Sequence, residues 1–465
     1  MKCPERADLA AAYAAMYDGL RHEAAFSAAE AEALPSAPGA DELLCSWMSG
    51  ELGCAGETLH HGSLRVFDFG VWNRAEGPDC LGAELELDGR RLRGDVVLTR
   101  RAEDWEERGC GCDAAFEGVA LHVVAEPPPP GWFTRNLRHA EVPLLVLDEL
   151  ELRRALGYPS PWSVEGLDCG PAPLRGLSGG QVRALLLAAA ARRMQLRRGL
   201  FRRRAERLGE DQAWFECWAE TLGYRVNKLA MRMLARRAPL HELEKLGDDA
   251  EAVLFGTAGF LEAVLPERAG EEARAYHRRV WDGWWPRSER YRLADSRSLL
   301  WMFSSVRPLN HPHRRVAALA VTAARWAELR PLMTAEQAPA LLGKLAGLRH
   351  DYWSRHCSLP SETLKSAFAL VGRERIKDFI VNHVCVQDDS EASWRMYLRL
   401  RVHSVPTRVQ RAAQALLGDR ADLPELLRHC YAQQGLLQLD DDFGRASTGA
   451  SGRFPSALAG WRLSL

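Results

Sequence analysis

The hydrophobic pattern of this chain changes its period once, and that change limits the folds that the chain can adopt. Between about residues 63 and 150, apolar residues occur in short alternating or β-branched runs such as SLRVFDFGVW, GAELELDGRRLRGDVVL, GVALHVVAE and VPLLVLDEL. Such runs are typical of β-strands, and the Asp-Gly step within LDGRRL predicts a hairpin. From about residue 166, runs such as QVRALLLAAAARRMQLRRGLFRRRAERL have the helical period. The fold class is therefore predicted to be α+β, with a small mixed-sheet α/β domain followed by a large all-α domain.

Four segments follow from this pattern. We predict an N-terminal helical extension over 1–40, the α/β domain over 41–165, the helical domain over 166–440 and a loose C-terminal tail over 441–465. Strands are expected over 81–88, 91–98 and 118–125, with Asp79 at the edge of the sheet. The near-continuous apolar runs at 118–125 and 142–148 predict strands that are buried on both faces.

Charge is distributed unevenly along the chain. Residues 1–150 carry 13 Lys and Arg against 27 Asp and Glu, whereas the remainder carries 48 against 35, although the net charge of the whole chain is only −1. A basic half can bind a polyanion, or it can pair with the acidic half. No apolar run approaches the roughly 20 residues that cross a bilayer, so a cytoplasmic protein without membrane contact is expected.

The sharpest local motif is the Gly-Pro-Asp corner at residues 77–79. Pro78 fixes the φ angle just before Asp79 and places the carboxylate at the mouth of the predicted hairpin. Many metal-dependent nucleases hold a divalent metal ion between such an aspartate and an acid on the next strand. The acid and base of that strand would fall at Val97 and Thr99, which offer neither a charged ligand nor a charged base. Asp79 is then either a structural residue that caps a turn or one half of a displaced site.

Two other acids are candidates for a displaced site. Asp95 lies two residues before position 97 on the same strand face, and Glu86 lies on the preceding strand. If either acts with Asp79, the protein would use Mg²⁺ or Mn²⁺, and otherwise no cofactor is expected. A zinc site formed by Cys110, Cys112, Cys80 and His122 is a further alternative, although Cys-Gly-Cys is a poorer spacing than Cys-x-x-Cys.

The order of these motifs resembles an uncharacterised bacterial family, domain of unknown function family 2851. The family pattern runs G-x-x-N, G-P-D-F, G-x-V-E-x-H, D-W-x-x-H-x-H-x-x-D and L-H-V-V. The likeness continues through ETLGYRVNKLA, AVLFGTAGFL, VRPLNHPHRR and FIVNHVC, and covers about residues 41–435. The N-terminal part looks like a PD-(D/E)XK nuclease core. The residues that match the pattern are Gly70, Asn73, Gly77, Pro78, Asp79, Asp104, Trp105, Asp113 and His122.

The departures from this pattern fall on the positions that would carry chemistry. Glu is replaced by Val97, His by Thr99, and two later His by Arg108 and Cys110. A cysteine cluster near the end of the pattern is reduced to Cys430, with Gly435 and Gln438 at the other positions. The resemblance thus implies a nuclease-like core, and the departures imply that this member has lost catalytic activity.

Arginines concentrate in one helical run of the basic half. The run includes Arg192, Arg193, Arg197, Arg198, Arg202 and Arg203 around an apolar stripe. Such a face can bracket phosphates of DNA or RNA, or it can pair with the chain's own acidic half. The turn RPLNHPHRR adds Arg307 and Arg314, either as a phosphate-binding loop or as a corner between helices.

These observations predict a nucleic-acid-associated protein with a nuclease-like but inactive centre, that is, a pseudoenzyme. Two alternatives stay open at this point. One is an active metal-dependent nuclease that uses Asp79 with Asp95 or Glu86. The other is a structural or protein-interaction module that binds no nucleic acid.

Overall fold

A computed structural model describes most of the chain. The described residues are 5–23, 40–48, 52, 55–73, 76–148, 152, 169–170, 172–224, 226–262, 265–266, 269–291, 299, 301–303, 306–402, 404–443 and 454–461. A sheet-containing N-terminal region is followed by a mostly helical region, which confirms the predicted α+β class.

The sheet has seven strands in the order β2-β1-β9-β6-β5-β4-β3, and β2 also pairs with β4. Its strands are β1 Ala55–Thr58, β2 Gly62–Asp68, β3 Val71–Trp72, β4 Cys80–Leu87, β5 Arg90–Thr99, β6 Val119–Val124 and β9 Leu144–Val146. Because β2 pairs with both β1 and β4, the pairings close into a ring of six strands, β1, β2, β4, β5, β6 and β9. The pairs β5–β6 and β6–β9 are parallel and the others are antiparallel, so the sheet is mixed as predicted.

The predicted hairpin is formed by β4 and β5. Leu87 pairs with Arg90, and the two residues between them, Asp88 and Gly89, have φ angles of 48° and 76°. Positive φ at both positions is the geometry of a two-residue type I′ turn, which explains why Asp-Gly stands there. Asp79 directly precedes β4, which has neighbours on both sides. The carboxylate therefore lies at a strand end and not on an edge strand.

The burial of the two apolar strands differs. Every residue of β6 is buried except Ala120, as its continuous apolar run predicts. In β9, by contrast, Leu145 and Val146 are only half-buried. Leu145 packs against the cluster that contains Leu98, and Val146 packs against the smaller cluster of Val124 and Leu144.

Two apolar clusters lie on opposite faces of β5. Val96 and Leu98 pack with the helix Ala40–Met48, which supplies Leu43, Leu44, Trp47 and Met48. Val97 points the other way, into a cluster that contains Trp105 and Cys110. Alternation along β5 thus separates the structural core from the side of the sheet that holds the candidate site.

The described helices, numbered in chain order, are mostly short. They are α1 Arg6–Glu23, α2 Ala40–Met48, α3 Asp104–Glu107, α4 Gly179–Leu208, α5 Glu210–Leu222, α6 Lys228–Arg237, α7 Leu240–Leu246, α8 Asp249–Thr257, α9 Glu271–Trp284, α10 Ser288–Tyr291, α11 Pro312–Ala324, α12 Trp326–Leu329, α13 Ala338–Ala346, α14 Arg373–Phe379, α15 Cys385–Gln387, α16 Glu391–Arg399, α17 Thr407–Leu417, α18 Leu423–Leu426 and α19 Cys430–Phe443. Short two-stranded pairs join β7 Thr134–Arg135 to β8 Glu141–Val142, and β10 Cys169–Gly170 to β11 Phe454–Pro455. None of the helices in the described ranges combines the length and the apolar composition that a bilayer crossing requires.

The chain divides into two compact units. The first contains residues 1–73, 77–203 and 389–465, and the second contains residues 74–76 and 204–388. The limits predicted at residues 165 and 440 fall inside the first unit. Within the predicted tail, α19 continues to Phe443, residues 444–453 lie outside the described part, and Phe454 and Leu458 are buried.

In the first unit, α19 packs closely against α4. A Cβ atom added at Gly435 would lie 2.3 Å from the carbonyl oxygen of Leu186, so a larger side chain does not fit at this position. This contact explains why glycine stands where the resembled pattern has a cysteine. Tyr13 of α1 also contacts α19 and donates a hydrogen bond of 2.8 Å to Asp442.

The second unit contains a buried ionic network on α5. Glu216 and Glu220 are almost inaccessible to solvent. Arg204 lies 2.9 Å and Arg232 3.3 Å from Glu220, and Arg236 lies 2.6 Å from Glu216. Burial alone would raise the pKa of Glu220, but the neighbouring cations, Arg204 first among them, hold it well below its usual range. Arg204, which belongs to the arginine run of α4, is therefore a structural residue.

Candidate functional site

The Gly-Pro-Asp corner is braced by Asn73. The Asn73 side-chain amide donates to the carbonyl of Pro78 at 2.8 Å, and the Asn73 backbone N–H donates to the carbonyl of Asp79 at 2.9 Å. Gly77 has a φ angle of 119°, which L-residues rarely adopt, so glycine is required at the corner. Together these residues fix the direction in which the Asp79 side chain leaves the chain.

The Asp79 carboxylate connects β4 to β5 and to the segment that follows β5. Its Oδ2 accepts the backbone N–H of Leu98 at 2.8 Å, just beyond the last β4–β5 pair, Cys80 with Val96. The same oxygen lies 3.8 Å from Nη1 of Arg108, and the side chain is 21% exposed. Asp79 thus has a structural partner and a guanidinium neighbour.

Positions 97 and 110 lie in one apolar cluster beside this corner. Val97, Cys110 and Trp105 are all fully buried there, and the Trp105 indole N–H donates to the carbonyl of Arg135 at 3.0 Å. Burial raises the pKa of the Cys110 thiol, and the nearby Asp79 carboxylate adds to the rise. Val97 and Cys110 thus contribute apolar packing at this corner.

His122 lies in a closed polar pocket between two threonines. Its Nε2 is 2.7 Å from Thr99 Oγ1, and its Nδ1 is 3.0 Å from Thr134 Oγ1. Because the Thr99 hydroxyl donates to the carbonyl of Arg101 at 2.7 Å, it accepts from His122, which places the proton on Nε2. Burial, with a further contribution from Arg108, lowers the pKa of His122 to about 3. The imidazole is therefore neutral, and both of its nitrogens have partners.

Asp104 and Asp113, two acids that match the family pattern, accept backbone hydrogen bonds near α3. Asp104 accepts the backbone N–H of Arg101 at 2.9 Å and its guanidinium at 2.9 and 3.1 Å. Burial raises the pKa of Asp104, but the hydrogen bonds from Arg101 outweigh this effect and lower it overall. Asp113 accepts the N–H of Ala115 at 2.9 Å and caps a short turn. Both residues therefore have local structural partners.

The other predicted acids are not gathered at Asp79. The Asp95 carboxylate accepts the backbone N–H of Gly82 at 2.9 Å, at the irregular point of the hairpin. Glu86 lies opposite Arg65 and Arg91 on the neighbouring strands. At ~3.3 Å per strand residue, Glu86 is roughly 20 Å along β4 from Asp79.

The described residues contain no cluster of three or more His, Cys, Asp or Glu side chains arranged to hold a metal ion. For the zinc alternative, the reason is that Cys80 packs against Met48 on the α2 side of the sheet, whereas Cys110 lies on the other side. Cys112 is exposed. The residues at this centre can position hydrogen bonds and a single carboxylate.

The arginines of α4 have different surroundings. Arg193 donates to Gln434 at 2.9 Å and to Asp441 at 2.5 Å, Arg192 donates to Gln195 at 2.6 Å, and Arg198 forms an ion pair with Asp389. Arg202 lies 3.8 Å from Asp389 and is 64% exposed. Arg197 and Arg203 are half-buried. The described acidic partners of Arg193 and Arg198, Asp441 and Asp389, belong to residues 389–465.

Arg307 and Arg314 have opposite environments. Arg307 is exposed, whereas Arg314 is buried and donates to the backbone carbonyls of Trp353 at 2.9 Å, Phe368 at 3.0 Å and Ala369 at 2.9 Å. Its guanidinium is therefore engaged in hydrogen bonds to the protein's own backbone. Of these two residues, only Arg307 can meet a ligand.

Sequence reasoning did not anticipate the roles of Arg108 and Thr134. Arg108 was noted as a departure from the family pattern, but its approach to Asp79 depends on how the turn after β5 folds back. Thr134 lies 12 residues after His122, in a segment without any motif. No signal in the sequence connects them.

The sheet, the Gly-Pro-Asp corner and the buried His122 pocket define an α+β protein in which Arg108 lies near Asp79 and its charge also acts on His122. The chain belongs to the family described as "Protein of unknown function (DUF2851)", whose sequence pattern matches residues 55–388. This match confirms the predicted family membership. No curated protein and no solved structure matches the chain.

Proposed function

We propose that this protein is a non-catalytic, nucleic-acid-associated member of its family, with a nuclease-like centre in which Arg108 stands in place of a metal ion. The observation that carries this proposal is the convergence of positions 79, 97, 99, 108, 110 and 122. Asp79 and Arg108 approach each other, Val97 and Cys110 share one apolar cluster, and Thr99 bonds His122. Arg108 links these pairs, which come from 44 residues of sequence, because its charge acts on both Cys110 and His122.

Charge supports the loss of catalysis. A hard divalent cation needs several oxygen ligands that compensate for its hydration shell. Val97 supplies none, and both nitrogens of the His122 imidazole already lie within hydrogen-bond distance of the Thr99 and Thr134 hydroxyls. The Arg108 guanidinium already supplies a positive charge near Asp79, and a metal ion there would be repelled by it.

Catalysis is tested by rebuilding the pattern of the resembled family. With Mg²⁺ or Mn²⁺, the wild-type protein should cleave neither DNA nor RNA. The double variant Val97→Glu with Thr99→His should bind Mn²⁺ more tightly, and adding Asp79→Ala should remove the gain. Glu86→Ala is the matched control and should leave Mn²⁺ binding unchanged. Robust cleavage by the wild type that disappears in Asp79→Ala would refute the proposal and favour the active nuclease.

The nucleic-acid part of the proposal rests on α4. Arg202 is the most exposed of the arginines with described ion pairs on this helix, and Arg192 is bound only to an uncharged glutamine in its described contacts. Guanidinium groups on such a face can contact successive phosphates. The ion pairs of Arg193 and Arg198 reduce the number of arginines available for this contact, which keeps the interaction-module alternative in the test.

Binding is tested with Arg192→Gln and Arg202→Gln, separately and together. Affinity for DNA or RNA should fall, and the slope of log affinity against log salt should flatten by up to about 0.9 per lost phosphate contact on duplex DNA. Arg290→Gln, an exposed arginine of α10, is the control and should leave the slope unchanged. If the wild type shows no salt-dependent binding, the protein is better described as an interaction module.

A further inference from the structure

Two motifs of the second unit, ETLGYRVNKLA and VRPLNHPHRR, meet at a buried arginine. Arg315 is 3% exposed, and its Nη2 donates to the carbonyl of Leu309. Its Nε and Nη1 are buried and have no hydrogen-bond partner in the described part of the chain. Burial lowers the pKa of Arg315 to about 10, so the side chain is still charged at neutral pH. A buried charge with two unused donors is unfavourable unless something else binds them.

A second arginine, Arg375, lies near the same Tyr224 ring as Arg315. The Arg375 guanidinium carbon lies 3.7 Å from the centre of the Tyr224 ring, and that of Arg315 lies 5.5 Å from it. Tyr224 has a φ angle of 55°, an uncommon conformation for a residue other than glycine. Such conformations often occur where a chain positions a ligand. The Nε of Arg375 is also buried without a partner among the described residues.

Local charges do not balance at this point. In the described part of the chain, Asp378 is the one carboxylate within ion-pair distance of Arg314, Arg315 or Arg375, at 3.2 Å from Nη1 of Arg375. Arg314 donates to backbone carbonyls, which carry no net charge. In the described part of the chain, that acid therefore pairs with Arg375, and no carboxylate lies within ion-pair distance of the buried Arg315. An anion beside Arg315 would supply the missing negative charge.

We propose that Arg315 and Arg375 bind a small phosphate-type oxyanion, inorganic phosphate or a phosphomonoester, beside the Tyr224 ring. The planar guanidinium groups match the oxygens of such an anion and can bind it by charge-assisted hydrogen bonds. Because Arg315 is almost completely buried, the ligand must be compact, and a nucleic-acid backbone cannot reach it. Arg375, whose side chain is 23% exposed, is the more solvent-accessible of the two arginines. This site is independent of the function proposed for the Asp79 centre.

Phosphate binding is measured by isothermal titration calorimetry and by thermal unfolding, with phosphate replacing chloride at constant ionic strength. The wild type should bind one phosphate, and its Tm should rise with phosphate concentration. Arg375→Gln should weaken binding by roughly tenfold or more, because it removes a charge-assisted contact. Arg373→Gln, an exposed arginine on the same helix, is the matched control and should bind like the wild type.

The variant Arg315→Met tests whether Arg315 needs a bound anion or is already satisfied within the protein. In chloride its Tm should be no lower than that of the wild type, since the change removes an uncompensated buried charge. The phosphate-dependent rise in Tm should be abolished. If this variant does not fold, calorimetry of Arg375→Gln decides the question.

Three results would overturn the proposal. One is a wild-type Tm that is identical in phosphate and chloride. Another is a Tm of Arg315→Met that falls well below that of the wild type in chloride, because Arg315 is then satisfied within the protein. The third comes from an oligonucleotide without a terminal phosphate. If it binds as tightly as glycerol phosphate and loses its binding in Arg375→Gln, the site recognises a backbone rather than a small ligand.

Discussion

His122 should make the stability of the sheet depend on pH. Its pKa is lowered from 6.5 to about 3 in the folded protein, first because of burial and then because of Arg108. The unfolded chain takes up the proton more readily, so the contribution of the neutral imidazole to stability is fully present above pH 6.5. It is lost as the pH falls from 6.5 towards 3. Each pH unit in this window changes the free energy of unfolding by about 1.4 kcal/mol, so about 2 kcal/mol should be lost by about pH 5.

The variant His122→Asn isolates this contribution. Asparagine does not titrate, but it offers an amide donor and acceptor to Thr99 and Thr134. At about pH 7.5 the variant should lose roughly 1–3 kcal/mol, because the hydrogen bonds at 2.7 and 3.0 Å are replaced by poorer ones. Between this pH and about pH 5 the variant should lose about 2 kcal/mol less than the wild type. Carboxylates titrate in both proteins and cancel in the difference.

Urea denaturation at several pH values measures this difference, and NMR of labelled histidine follows His122 directly. His241→Asn, at an exposed position of α7, is the control and should leave the pH dependence of the wild type unchanged. The reasoning would be refuted if the wild type and His122→Asn lost equal stability on acidification. A His122 resonance that titrates near pH 6.5 in the folded protein would refute it as well.

Two further predictions concern the interior of the second unit, one on packing and one on buried hydrogen bonds. In Gly256→Ala, the new Cβ would lie 1.9 Å from the buried Trp284 ring, so the free energy of unfolding should fall by about 3 kcal/mol or more in urea denaturation. Gly343→Ala, also helical and with open space around it, should instead gain about 0.5–1 kcal/mol, and equal effects at both sites would contradict the packing argument. Arg314→Met should lose at least about 3 kcal/mol, because several buried carbonyls lose their donor, and a Tm within a degree of the wild type would show that other groups satisfy them.

The β4–β5 hairpin could be predicted because everything that determines it is local. Alternating residues give the strands their faces, and Asp88-Gly89 gives the turn its positive φ angles. Closure of the sheet could not be predicted in this way. It depends on β2 meeting β4 and on β1 meeting β9, and the second contact joins residues 87 positions apart, Thr58 and Leu145. Sequence periodicity indicates strands but does not choose their distant neighbours.

Local sequence patterns also did not predict which arginine side chains are buried in the arginine-rich segments. Arg314 and Arg307 belong to one turn. Arg314 is buried and donates to backbone carbonyls, whereas Arg307 is exposed. The same difference separates Arg204, in the buried network of α5, from Arg202 two residues earlier. Charge is visible in the sequence, but the carboxylates and carbonyls that neutralise it come from distant segments. The run of arginines therefore predicted a more extensive basic surface than the described fold presents.

The substitutions around Asp79 are physically dependent on one another under the proposed function. If a metal ion were removed and nothing replaced it, the half-buried Asp79 carboxylate would lose its main source of positive charge. Arg108, 3.8 Å away, supplies that charge, and Leu98 supplies a hydrogen bond. Val97 then completes an apolar cluster that a second acid would disrupt. Restoring Glu at position 97 alone would bring it close to Arg108, which would pair with it and compete with the metal ion. The double variant at positions 97 and 99 should therefore gain only part of the Mn²⁺ affinity, and adding Arg108→His should give the rest. If the single change Val97→Glu already bound Mn²⁺ as tightly as the triple variant, Arg108 would not be the group that replaced the metal.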